Sequence, residues 1–167
     1  WSLQIAAFAD LTGDKALTDF VKDKFKNTYL PEMMDTQGGF PKELSRTKPY
    51  GYSLFVIDLM GGIAQIASTP DDNLWSFTAP NGQNMTLGLD FIAPYIADKS
   101  SWPYDPDVMY WDDWPVRHPA FVFGGAALDD CGYYGRVKDL APDSDIYEVR
   151  RNFPMRHPII WMNDRHK

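Results

Sequence analysis

Residues 51–68 read GYSLFVIDLMGGIAQIAS, and this stretch decides the fold class. Leu54, Phe55, Val56, Ile57, Leu59, Met60, Ile63 and Ile66 place apolar side chains nearly all the way round a helix. A helix that is apolar on every side belongs between other layers rather than on a surface. Gly61-Gly62 lowers helix propensity but lets a neighbour approach closely. The pattern predicts a buried helix that needs partners on both sides in the chain.

Upstream, residues 2–11 read as a helix rich in Ala and Leu, closed by Thr12-Gly13-Asp14 with Gly at the C-terminal cap. Residues 15–30 read as the next helix. Leu17, Val21, Phe25 and Tyr29 recur every four residues with Phe20 beside them, and Lys22, Asp23, Lys24 and Lys26 take the other side. Pro31 predicts a break or a new turn. Asp35 to Pro49 reads as a loop punctuated by Gly38-Gly39 and Pro41. Downstream, Thr69-Pro70-Asp71-Asp72 and Asn81-Gly82 read as turns. A helix over 85–97 is capped by Asn84, with Met85, Leu89, Ile92 and Ile96 on one face. Residues 99–118 form a long loop of Trp, Asp and Pro, and a loop of that length in a small domain usually carries function. Residues 119–134 read as a helix of small residues, and the tail from 143 as one short helix and then irregular chain.

The succession is one of helix pairs, at roughly 40 to 50 residues per pair. No strand alternation persists. The expected fold is all-α, with helical hairpins forming part of an (α/α) toroid or barrel. Trp1 to Phe8 already reads as the inside of a helix without an initiating Met, so the chain is expected to be a piece of a longer protein.

Composition narrows the function. The net charge is -7, and acid concentrates between Asp71 and Asp113. That argues against nucleic acid, whose backbone needs a basic face. Base gathers at Lys42, Arg46 and Lys48, and again at Arg150, Arg151, Arg156, Arg165 and Lys167, which leaves room for a local anion site. Aromatics make up 15% of the chain, enough for packed cores and for rings that stack on sugars. Cys131 is the single cysteine and reads as structural. No apolar run suggests a transmembrane helix, so no membrane partner is expected. The three histidines, His118, His157 and His166, lack metal-ligand spacing, and no metal or cofactor is expected. Asn84-Met85-Thr86 is an N-glycosylation sequon at Asn84.

Two clusters could carry chemistry. The first is Gly39 to Ser53, a charged loop running into the start of the buried helix. A helix start offers unpaired N–H groups and partial positive charge. Arg46 presents a planar fork that matches a carboxylate. Tyr50 and Tyr52 are phenols beside that positive field, which favours their ionised form. The plain alternative is a surface loop with a solvated Glu43–Arg46 pair. The second cluster runs from Trp102 to Asp105 and from Trp111 to His118. Its aromatics and acids resemble a sugar cleft, and Asp112 and Asp113 could be the paired carboxylates of a glycosidase. The plain alternative is a rigid loop anchored by its rings.

The stretches WSLQIAAFADLTGD (1–14) and GGFPKELSRTKPYGYS (38–53), with the apolar helix that follows, resemble the alginate lyase-like superfamily. The most specific part is E-L-x-R-T-x-x-x-x-Y, present as Glu43, Leu44, Arg46, Thr47 and Tyr52. The resemblance covers roughly residues 1–125. It implies an (α/α) toroid, of which 1–167 would be the C-terminal portion of a single lyase domain. It also implies cleavage of uronate polymers, of alginate or glucuronan type, by β-elimination. Arg46 would neutralise the uronate carboxylate and Tyr52 would be the proton-transfer phenol. Tyr50, Glu43, Lys42 and Lys48 would surround them, and Trp111, Arg117 and His118 would line the cleft. The family's Asn–His pair precedes the segment that Trp1 matches, so an upstream partner segment is implied. A polymer substrate points to a secreted protein, extracellular or, in a bacterium, periplasmic. Two alternatives stand beside the lyase: a toroid glycoside hydrolase using Asp112 or Asp113, and a non-catalytic domain that binds acidic glycans.

Overall fold

The computed structural model describes residues 1–162, and its described residues form helices with no strand beyond an isolated bridge between Thr69 and Asp72. Helix α1 (Ser2–Thr12) ends at Gly13, whose φ of 69° makes the left-handed cap. Helix α2 (Lys15–Lys24) starts on Asp14, whose side chain accepts from the Leu17 N–H. It runs through a wider π-turn (Phe25–Tyr29) into the single turn α3 (Leu30–Met33). Of the two outcomes expected at Pro31, a break or a new turn, the chain takes the new turn. Pro31 sits in the first turn after the widened register, where its missing N–H leaves little unsatisfied.

After a loop pinned by Asp35, which accepts from Gln37 and Gly39 N–H, comes the single turn α4 (Pro41–Leu44). Helix α5 (Pro49–Ala67) follows and is the axis of the fold, packing against α1, α2 and α4. It also packs against α6 (Met85–Ala97) and α7 (Pro119–Ala127). Gly61 meets Ala120 of α7, where an added Cβ would lie 2.8 Å from the Ala120 Cβ, so the expected close approach is real. By length and composition α5 could cross a membrane, but 83% of its apolar window is buried inside this fold.

The remaining elements are α8 (Cys131–Val137), α9 (Tyr147–Arg151) and a last 3-10 turn at Pro158–Trp161. The single helix expected over 119–134 is broken. Asp129 takes φ 53°, and the Asp130 side chain caps α8 by accepting from Gly132 N–H. The local cap outcompetes helix continuation here. Cys131 is exposed at the start of α8 rather than buried as a structural thiol.

The polar side assigned to α2 is also corrected. Lys22 is buried, because the turn at 69–72 folds over it and Asp72 supplies the opposite charge at 3.4 Å. Leu17 and Phe20 are exposed instead, at 40% and 38%.

Candidate active site

The candidate site lies where α4 hands over to α5. Pro41 and Pro49 both occupy first turns, where a proline costs no hydrogen bond. Between them the chain bends at Ser45 to Lys48 and presents Arg46 outward. The Arg46 guanidinium stacks over the Tyr52 ring, 3.9 Å from its centroid. Glu43 holds Arg46 Nη1 at 3.0 Å, yet 53% of the Arg46 side chain stays exposed. A carboxylate arriving from solvent can therefore reach the guanidinium.

Lys48 completes the cluster. Its ammonium lies 5.2 Å from the Tyr52 ring centroid and 5.5 Å from that of Tyr110. It pairs with Glu148 of α9. Burial works to lower the Lys48 pKa, but the Glu148 carboxylate and the Tyr52 oxygen outweigh it and hold it above its ordinary value. Lys42 is exposed on α4.

Tyr50 behaves differently from Tyr52, two residues away. It is fully buried and donates its hydroxyl hydrogen bond to the Tyr95 carbonyl at 3.0 Å. Its ring meets the edges of Trp102 and Trp111. Burial pushes its pKa up and Asp107 adds to the rise, the reverse of the ionisation expected from the sequence. Tyr50 supports the site from beneath.

The unpaired helix start expected for α5 is occupied. Asp107 accepts from Tyr50 N–H at 2.9 Å and from Gly51 N–H at 3.0 Å. Gly51 allows this, because a Cβ there would stand 2.8 Å from Asp107 Oδ2. A second tie runs from Val108 N–H to the Thr47 carbonyl. The loop at 99–118 thus straps the site loop to the helix. It contains two 3-10 turns, Lys99–Ser101 and Trp111–Asp113, and buries Trp102 and Trp114.

Three residues expected around the cleft separate. Trp111 is half-buried with Lys99 over its ring at 4.6 Å, beside Tyr50. His118 is wholly buried, stacked on Trp114, and Asp58 lies 2.7 Å from its Nδ1. Its Nε2 accepts from Val116 N–H, which assigns the proton to Nδ1. His118 is thus a core histidine rather than a cleft wall. Arg117 donates to the Lys138 and Leu140 carbonyls and lines a different groove of about 640 Å³, with Tyr134, Arg156 and Ile160. Neither Arg46 nor Tyr52 lines that groove.

Asn84 serves as the cap of α6, its Oδ1 accepting from Leu87 N–H and its Nδ2 donating to the Gly82 carbonyl. Among the described residues no three His, Cys, Asp or Glu side chains gather as a metal would require. Arg165, His166 and Lys167 lie outside the described residues.

Three residues at the site escaped sequence reasoning: Asp107, Tyr110 and Glu148. Tyr110 carried a usable signal, an aromatic between the two stretches of the second cluster, and the structure puts it at φ 64°. Left-handed backbone at a bulky residue is uncommon and gathers at functional sites. Asp107 and Glu148 carried none, since each acts on a partner far away in sequence.

A model of the alginate lyase family matches residues 1–102, which include Glu43, Arg46 and Tyr52. The chain belongs to the alginate lyase family. It is also similar in structure to an alginate lyase from Bacteroides ovatus, with a TM-score of 0.73 and 25% sequence identity. That likeness covers 89% of this chain and 38% of the Bacteroides chain, so the chain spans well under half of that enzyme's length. Among curated proteins no match is found. The family match ends before Tyr110, Trp111, Arg117 and Glu148.

Proposed function

We propose that this chain supplies part of the active centre of a polysaccharide lyase that cleaves uronic-acid polymers, alginate or glucuronan, by β-elimination. The supporting observation is the stacking of an exposed Arg46 guanidinium over the Tyr52 ring at 3.9 Å. The C5 proton of a uronate is weakly acidic because its neighbouring carboxylate is negative. Pairing that carboxylate with Arg46 stabilises the charge that develops as the proton leaves. The C5–H bond breaks and its proton passes to the base. The electron pair becomes the C4–C5 double bond, the C4–O4 bond breaks, and O4 takes up a proton. Tyr52 is the proton-transfer group, as base, acid or both according to the C5 configuration. Glu43 keeps Arg46 in place, and Lys42 and Lys48 add positive charge for a polyanion.

The chain forms the C-terminal portion of a toroid, completed by an upstream segment that carries an Asn–His pair. A polymer of this kind would be met outside the cytoplasm, extracellularly or in a periplasm. The test is absorbance of the unsaturated product in the near ultraviolet when the full-length protein meets alginate or polyglucuronate. A rise that disappears in Arg46→Ala supports the reading. New reducing ends without the chromophore would replace it with hydrolysis.

A further inference from the structure

Lys48 sits where the site loop, the strap loop and the tail converge. Glu148 reaches it across 100 positions of sequence. The pair is well sheltered, with side-chain exposures of 15% for Lys48 and 11% for Glu148, against 53% for Arg46. Glu148 is itself fixed by its own helix and the residue after it. Arg151 Nη2 lies 3.0 Å from Oε1 and 2.8 Å from Oε2, and Asn152 Nδ2 donates to Oε1 at 3.2 Å. The carboxylate is therefore the fixed partner and the lysine the movable one. A lysine stem has many rotamers, and left untied it samples solvent. Tied to Glu148, its ammonium is held against the rings of both Tyr52 and Tyr110.

We infer that Glu148 is a positioning residue that holds the Lys48 ammonium between Tyr52 and Tyr110, giving the site a second fixed cation beside Arg46 for a neighbouring carboxylate of an acidic polymer. The inference rests on the lyase reading above for the identity of the ligand. A uronate polymer repeats its carboxylate on each sugar, so two fixed cations at one phenol match it better than one. Tyr110 offers a ring face beside the second cation, as sugar sites use.

The test measures binding of a short mannuronate oligomer by calorimetry, in the full-length protein carrying Tyr52→Phe so that no turnover intervenes. Glu148→Ala and Lys48→Met are each expected to weaken binding about tenfold. The double variant is expected to be no weaker than Lys48→Met alone, since Glu148 acts through Lys48. Asp143→Ala removes a different ion pair of the tail, with Arg156, and is expected to leave binding unchanged. In the protein with Tyr52 intact, Glu148→Ala is expected to raise KM more than it lowers kcat. Unchanged binding in Glu148→Ala, additive losses in the double variant, or an equal loss in Asp143→Ala would each overturn the inference. The two readings fail separately. A parent protein that binds with this pattern but forms no unsaturated product loses the lyase reading and keeps the positioning role. A parent that forms product while Glu148→Ala changes nothing does the opposite.

Discussion

The loops at 39–53 and 99–118 have similar ingredients, aromatic rings, charges and prolines, yet the fold uses them in opposite ways. The first presents Arg46 to solvent and stacks it on Tyr52. The second turns Trp102 and Trp114 inward and spends Asp107 on the start of α5. One loop is the candidate site and the other is its buttress. Residue types alone do not separate the two. What separates them is which side chains have their hydrogen bonds already satisfied inside the protein.

The same contrast recurs between Tyr50 and Tyr52, and it gives the largest expected effect. Tyr52→Phe is expected to lower turnover by roughly a thousandfold, as loss of a proton-transfer group does. It should leave the melting temperature almost unchanged. Tyr50→Phe removes the buried hydrogen bond to the Tyr95 carbonyl, and should cost about 1 kcal/mol of stability with turnover largely kept. Steady-state kinetics and thermal denaturation on both variants check the pair. Equal losses of turnover would erase the distinction between site and support.

The second expected effect concerns His118, counted from its sequence among the cleft residues and found in the core. His118→Ala would strip Asp58 Oδ2 of its 2.7 Å partner at a point where both side chains are fully buried. Leaving that buried acceptor without its hydrogen-bond donor costs roughly 2 kcal/mol. Chemical denaturation should show that loss, while the KM of the surviving folded enzyme stays close to the parent's. A large rise in KM with unaltered stability would return His118 to the cleft.

What could be read from the sequence follows from range. The buried helix, the Gly13 cap, the Asn84 cap and the close approach at Gly61 depend on neighbours in sequence or on simple periodicity, and all of them appear in the structure. Arg46, Glu43 and Tyr52 lie within one loop and the helix turn after it, so their association was legible too. Asp107 on α5, Asp58 on His118 and Glu148 on Lys48 join residues 56 to 100 positions apart. No local pattern encodes such pairs. The unoccupied helix start inferred for α5 failed for this reason, because the residue that caps it lies in another loop.

Asp107 gives the next effect in size. Asp107→Ala should cost about 1 kcal/mol, as loss of a helix cap does, and loosen the strap from the site loop. Its signature is faster amide exchange at Tyr50 and Gly51 with protection kept in the middle of α5. Uniform loss of protection along α5 would mean that the strap carries the whole helix rather than its first turn.

The smallest effect separates the tail from the strap by pH. Lys48, and with it Arg151, holds the Glu148 carboxyl below its ordinary value of 4.5, against the contrary pull of burial. A carboxyl whose pKa is lowered by folding contributes stability that is present above its unfolded value and lost as pH falls through its folded value. The tie between α9 and the site loop should therefore hold from neutrality down to about pH 5 and weaken below 4.5. Comparing the parent with Glu148→Gln across that range checks it. Their difference in melting temperature should be constant above the window and shrink within it. Asp107 shifts the other way, its carboxyl raised chiefly by burial, so the strap gains nothing from ionisation as the pH climbs. A difference between parent and Glu148→Gln that persists undiminished in acid would mean that Glu148 holds the tail by shape and packing alone. The two supports of the site loop would then be alike in kind, instead of one being ionic and the other a cap.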